Sequence, residues 1–190
     1  MRIFIFVFLI LFLTGGEEIS LAGNIASGKT KSAACEKCHG VEGNNSESPV
    51  IPKLAGQQSA YFIQQIKEFK SGNRKNPLMA PIAAGLSDAD ADADDLSAYY
   101  STLKPTAEKV DPALSSKGKE NYNLCDSCHG PTAAGQGPIP RLAGQHAAYL
   151  LAQLKAYKEG SRKNPVMNGV TMSLSEGDFK ALAEYAAGLK

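Results

Sequence analysis

Cys-x-x-Cys-His occurs twice in this chain, as Cys35-Glu36-Lys37-Cys38-His39 and as Cys125-Asp126-Ser127-Cys128-His129. The two copies use all 4 cysteines of the 190 residues. The spacing is chemically demanding. Two thiols three residues apart on one helical turn can each add to a vinyl group on the same porphyrin edge. The histidine that follows then lies under the ring, where its imidazole reaches the iron. The motifs therefore predict two covalently bound haem c groups, held through Cys35, Cys38, Cys125 and Cys128, with His39 and His129 as proximal iron ligands. A Cys-x-x-Cys pair alone would also suit a zinc ribbon or a thioredoxin-like redox site, and four cysteines could make a disulfide framework. None of these accounts for both histidines.

The motif is the centre of a larger duplication. Cys35 maps to Cys125 and Gly28 to Gly118 at an offset of 90, and Pro52 to Pro140 at an offset of 88. From Pro52 to Met79 the two copies are identical at 16 of 28 positions, which marks an internal repeat. Each unit is about 80 residues, small for a hydrophobic core on its own; a covalently held haem would supply the apolar centre. The boundaries read as 1–22 leader, 23–104 first unit, 105–112 linker and 113–190 second unit. The stretch Lys104–Pro112, with a proline at 105 and another at its end, spans at most about 30 Å when fully extended, so the units must sit close together.

The leader carries Arg2, an apolar run from Ile3 to Leu13, and the small-residue pattern Ser20-Leu21-Ala22. That is the layout of a secretory signal peptide cleaved near Ala22. An uncleaved anchor is the alternative, but the run is about 11 residues against the roughly 20 a spanning helix needs. Export to the periplasm suits haem c attachment. The full chain has a formal net charge of +1, which does not suit a nucleic-acid binder. The units differ in charge: 23–104 holds 9 basic and 9 acidic side chains, and 113–190 holds 9 and 6.

Within each unit the pattern predicts helices and long loops, with no strand. A first helix, 25–37 or 114–127, delivers the cysteines. A middle helix, 58–71 or 146–159, has Tyr61, Phe62, Ile66 and Phe69, or Tyr149, Leu150, Leu154 and Tyr157, at helical spacing. Gly72 and Gly160 fit its C-terminal end. A loop then carries Met79 or Met167. A last helix begins after Ser87 or Ser175, each with an acidic residue three positions on, Asp90 or Asp178. Leu96 and Tyr99 map to Leu182 and Tyr185 at an offset of 86, so the first unit has two extra residues within Asp88–Asp95, placed before or at the helix start. The acidic run itself fits a solvated first helical turn.

Met79 and Met167 align across the repeat in Asn-Pro-x-Met. Matched methionines after a rigid Asn-Pro pair point to the second axial ligands, closing both faces of each iron. That favours Fe(II), raises the potential and suits electron transfer without bond chemistry, hence a carrier and not an enzyme. Met172 has no counterpart and reads as packing, and His146, the remaining histidine, as an exposed or hydrogen-bonding side chain. Gly28 and Gly118 would let the last helix approach near Tyr99 and Tyr185. A carbonyl in the Pro52 or Pro140 region would take the proximal histidine Nδ1–H. Arg74/Arg162 and Lys75/Lys163 would neutralise propionates or lie on the solvated surface.

Both Cys-x-x-Cys-His-Gly motifs, the Pro-Lys/Arg-Leu-Ala-Gly-Gln segments, the Tyr…Gln-Ile/Leu-Lys helices, the Asn-Pro-x-Met loops and the Leu-Ser helix starts together resemble the cytochrome c4 family, dihaem class I cytochromes c. The resemblance implies an all-α chain: two tandem class I domains, each around one haem, related by pseudo-twofold symmetry with propionates facing across the interface. It implies His39/Met79 and His129/Met167 as axial pairs. It further implies a periplasmic carrier, peripherally associated with the membrane, between a quinol-oxidising bc-type complex and a haem-copper terminal oxidase. The alternative within the same resemblance is the cytochrome subunit of a flavin-containing dehydrogenase of the sulfide type. A dihaem peroxidase fits poorly, since both units keep a methionine.

Overall fold

The computed structural model describes residues 23–44, 48–87 and 91–190. The leader at 1–22 and the acidic residues Asp88 and Asp90 lie outside the described residues. Among the described residues the chain is helical and has no strand; a lone antiparallel bridge joins Gln136 and Ile139.

Two sets of five α-helices follow one another. The first is α1 (Ile25–Ser32), α2 (Glu36–His39), α3 (Ser59–Lys70), α4 (Met79–Ala84) and α5 (Ala91–Thr102). The second is α6 (Pro112–Asn121), α7 (Asn123–His129), α8 (Ala147–Lys158), α9 (Pro165–Met172) and α10 (Glu176–Gly188). Residues 104–111 run between them without helix. The single first helix expected in each unit is broken: Ala33, Ala34 and Cys35 turn between α1 and α2, and Tyr122 separates α6 from α7.

The first and last helices of each unit pack most closely. Glycine makes this approach achievable. A Cβ on Gly28 would stand 2.0 Å from the Asp95 carbonyl oxygen and 2.8 Å from the Tyr99 Cβ. On Gly118 it would stand 2.0 Å from the Ala181 oxygen and 2.7 Å from the Tyr185 Cβ. The expectation for both glycines is borne out, down to the tyrosines. Against each helix pair lies the middle helix. Phe62, Ile66 and Phe69 of α3 join Leu96, Tyr99 and Tyr100 of α5 in the first core. Leu150 of α8 packs on Ala183 and Ala186 of α10 in the second.

Ser175 caps α10 through a complete capping box with Asp178. In the first unit the Ser87 amide instead donates to Asp92 at 2.8 Å. Asp92 accepts from the Ser87 amide as Asp178 accepts from that of Ser175. Asp90, the acidic residue expected three positions after Ser87, lies outside the described residues. The acidic run is also less free than a solvated turn. Lys31 bonds Asp92 and Asp95, each at 2.6 Å, tying α5 to α1.

Candidate haem sites and the interface between them

Each motif histidine is buried, with 6% of His39 and 7% of His129 exposed. His39 Nδ1 lies 2.7 Å from the Pro52 carbonyl oxygen, and His129 Nδ1 lies 2.9 Å from that of Pro140. A carbonyl can only accept, so Nδ1 carries the proton in both rings, and the lone pair is left on Nε2. Nε2 of neither ring has a hydrogen-bond partner among the described residues. Burial pushes both imidazoles below their usual pKa, partly opposed by the proline carbonyl. Both rings are thus neutral, oriented and open at Nε2, as an axial ligand must be.

The cysteines sit beside these rings. Cys35 and Cys125 are half-buried against the two cores, while Cys38 and Cys128 are exposed. Burial raises the Cys35 thiol and pushes that of Cys125 up to about 11. The methionines stand at the start of short helices, α4 and α9, rather than in loops as expected. The reason is the preceding asparagine. Asn76 Oδ1 accepts from the Leu78 and Met79 amides, both at 2.9 Å, and Asn164 Oδ1 accepts from the Met167 amide at 3.0 Å. These side chains replace the missing carbonyls of a helical first turn, and Pro165 suits the first position of α9. Met79 packs against the first core, and Met167 is half-buried. Met172, expected to pack, is 65% exposed.

This donor set fits haem c in both units: paired thiols, a neutral imidazole with a bare Nε2, and an apolar core against which the first cysteine packs, together with Leu54 in the first unit and Leu142 and Leu154 in the second. Among the described residues, no group of three or more His, Cys, Asp or Glu is arranged to hold a metal ion directly.

The two sites are fixed to one another by a reciprocal contact. The Lys53 amide donates to Gln145 Oε1 at 2.8 Å, and Gln145 Nε2 donates back to the Lys53 carbonyl at 2.9 Å. The Arg141 amide and carbonyl bond Gln57 in the same manner, at 2.9 and 3.1 Å. Those segments follow directly on Pro52 and Pro140, so the carbonyls that orient the histidines lie next to the residues that join the units. Farther along, Arg162 donates to Gln153 at 2.7 Å, to the Tyr61 hydroxyl at 2.8 Å and to Gln65 at 2.8 Å. Arg74 donates to Gln65 at 2.7 Å, Tyr149 at 2.9 Å and Gln153 at 3.0 Å.

This network was not legible in the sequence. Helical spacing puts Tyr61 and Tyr149 on the middle helices and names no partner for them; the two arginines, expected at propionates or on the solvated surface, join them across the seam. Lys75 and Lys163 are exposed. His146, expected exposed or hydrogen-bonding, is 7% exposed, with Nδ1 3.3 Å from Glu108 Oε2. That separation lacks hydrogen-bond geometry, and Nε2 has no partner among the described residues.

Fold and sites together define a tandem c-type cytochrome with one haem per unit. The cytochrome c profile matches residues 25–104 and again 115–190. The chain is 37% identical over 192 residues to cytochrome c4 of Stutzerimonas stutzeri, covering 88% of this chain and 90% of that one. The crystal structure of reduced recombinant cytochrome c4 from Pseudomonas stutzeri superposes with a TM-score of 0.83 at 36% identity, covering 89% of this chain and all of the other. A thiosulfate dehydrogenase electron acceptor of Stutzerimonas stutzeri strain A1501 is 38% identical over 172 residues, covering 82% and 79%. The chain belongs to the cytochrome c family and, within it, to the dihaem cytochromes c4. It is an electron carrier with two covalently bound haem c groups.

Proposed function

We propose that this carrier works in the periplasm after removal of residues 1–22, accepting electrons from a quinol-oxidising bc-type complex and passing them to a haem-copper oxidase. Its haems are held by Cys35, Cys38, His39 and Met79 in residues 23–104, and by Cys125, Cys128, His129 and Met167 in residues 113–190. The haem iron supplies the one-electron chemistry, and the chain holds it. Pro52 and Pro140 keep each proximal imidazole in the tautomer whose Nε2 can bind metal. The Asn76 and Asn164 caps set the direction of each methionine. The apolar lining keeps water away and favours the less charged, reduced state. The observation that carries the reading is the buried, neutral, carbonyl-anchored histidine beside a cysteine pair, built twice.

Among the described residues no helix is long and apolar enough to cross a membrane. The resemblance to thiosulfate dehydrogenase electron acceptors favours a second source of electrons, a sulfur-oxidising dehydrogenase. Copurification as a complex, against isolation as a single chain, separates a dehydrogenase subunit of either the flavin or the thiosulfate type from a free carrier. The ligand assignment is tested with Met79→His and Met167→His. Each should lower one reduction potential, leave the other nearly unchanged, and halve the ferric methionine–iron charge-transfer band. A band of undiminished intensity in either variant removes that methionine from the assignment.

A further inference from the structure

Each proximal histidine is anchored by a peptide group that the other unit also grips. The carbonyl of Pro52 and the amide of Lys53 belong to one planar peptide, trans like every peptide among the described residues. Its oxygen accepts from His39 Nδ1–H at 2.7 Å, and its N–H, pointing the opposite way, donates to Gln145 Oε1 at 2.8 Å. The second unit repeats the arrangement. The Pro140–Arg141 peptide accepts from His129 Nδ1–H at 2.9 Å and donates to Gln57 Oε1 at 2.9 Å. One peptide thus separates each histidine from a glutamine of the other unit.

Both glutamine heads are fixed. Gln145 is 7% exposed. Its Oε1 also accepts from the His146 amide at 3.0 Å, and its Nε2 donates to the Lys53 carbonyl at 2.9 Å. Gln57 Oε1 likewise accepts from the Gln58 amide at 2.9 Å, and its Nε2 donates to the Arg141 carbonyl at 3.1 Å. Only one orientation of each side-chain amide satisfies these partners, since the oxygen faces two N–H groups and the nitrogen faces a carbonyl.

We propose that Gln145 tunes the first haem and Gln57 the second, each through the peptide that anchors the other unit's proximal histidine. The inference rests on His39 and His129 as iron ligands. An acceptor at the N–H and a donor at the C=O both draw a peptide toward its charge-separated form, so each hydrogen bond strengthens the other. A stronger acceptor at Pro52 or Pro140 raises the basicity of the imidazole that donates to it. A more electron-rich imidazole favours Fe(III), so each glutamine lowers the potential of the opposite haem. Both are positioning residues: they act through a peptide and a histidine, not on the iron. The Lys53–Gln145 bond is buried and the Arg141–Gln57 bond only partly so. Hydrogen bonds are stronger at low dielectric, so Gln145 has the larger effect.

The experiment is spectroelectrochemistry of the holoprotein carrying Gln145→Leu or Gln57→Leu, which remove the acceptor without changing the charge. The redox steps are assigned by their responses to Met79→His and Met167→His. Gln145→Leu should raise the first-unit step by about threefold in the equilibrium constant, about 28 mV for one electron at roughly 59 mV per tenfold, and leave the other step in place. Gln57→Leu should raise the second-unit step, by less. In the diamagnetic ferrous protein, the Nδ1–H proton resonance of His39 should move upfield in Gln145→Leu, and that of His129 in Gln57→Leu. Gln145→Glu keeps an acceptor oxygen and should hold the first step at or below its wild-type value. Gln58→Ala removes a bond across the seam to the Ala134 carbonyl at 2.9 Å without touching either peptide, and should move neither step. The proposal is overturned by a shift confined to the glutamine's own unit, by equal shifts of both steps, or by unmoved histidine resonances. A rise in Gln145→Glu, or an equally large shift in Gln58→Ala, overturns it as well. If neither methionine variant moves a redox step, the ligand assignment fails instead.

Discussion

The two halves of this molecule agree where they touch each other and diverge where they touch the chain that joins them. Lys53 and Arg141 use their backbones identically, each clasped by a glutamine of the other half. Their side chains part company. Lys53 Nζ, in a residue only 4% exposed, reaches Thr106 O at 2.9 Å and Thr106 Oγ1 at 3.2 Å and pairs with Glu108. Arg141 Nε folds back to the Ala143 carbonyl at 3.1 Å. Gln58 bonds the Ala134 carbonyl across the seam at 2.9 Å, whereas its counterpart His146 faces Glu108. Asn44 holds the linker through Lys104 O at 2.8 Å, and its counterpart is Ala134. The reason is topological. A duplicated chain has two copies of everything except its linker, and one linker cannot obey a twofold axis. The side chains that receive it are released from symmetry, whereas the paired glutamines Gln57 and Gln145 and arginines Arg74 and Arg162 of the seam keep it.

That comparison can be broken most forcefully at the closest helix contact. Gly28→Ala and Gly118→Ala each drive a Cβ into backbone that has no rotamer with which to yield, so each should destabilise its unit by more than about 3 kcal/mol. The symmetric view requires similar losses in denaturant unfolding of the two holoproteins. A loss in one and tolerance in the other would show that the repeat does not share its packing. Next in size is the seam. Arg162 is 7% exposed and Arg74 is partly exposed. Arg162→Ala removes the donor to the Tyr61 hydroxyl and leaves Gln65 and Gln153 with Arg74 alone, and should cost about 3 kcal/mol; Arg74→Ala should cost about half as much. Calorimetry that resolves the transitions would sharpen this further. If the seam couples the halves, Arg162→Ala should separate one unfolding event into two.

The smallest effect is on the asymmetric side. Burial pushes the Glu108 carboxyl up, but Lys53 and His146 outweigh it and hold it below the ordinary carboxylate value. The stabilisation is therefore present above the unfolded pKa and is lost as pH falls through the depressed folded value. Glu108→Gln should cost about 1 kcal/mol or less near pH 7, because the carboxylate is partly exposed and screened, and should flatten the dependence of melting temperature on pH below about 4.5. An undiminished acid dependence in the variant would assign that titration to other carboxylates.

The legible parts of the fold were those decided by short-range spacing. The interval between two thiols and a histidine, the period of apolar residues on α3 and α8, and a serine capping α10 are settled within a few residues of chain, so one strand of sequence carries them. Gly28 and Gly118 could be assigned a close helix contact because only the smallest residue at matched positions tolerates one. Even the orienting prolines were readable, because a proximal histidine needs an acceptor and the rigid repeat offered one nearby. What the tertiary structure decided depends on residues tens of positions apart. Arg162 finds Tyr61 and Gln65 across nearly a hundred residues, and an arginine looks the same in a sequence whether it meets solvent, a propionate or another unit. The exchange of buried Tyr100 in the first unit for buried Tyr122 in the second lies equally deep. Each ring comes from a different helix to fill equivalent space, so position-by-position alignment of the halves sees two unrelated substitutions, Tyr100 to Ala186 and Ser32 to Tyr122. Only packing shows them as one, because a core conserves volume.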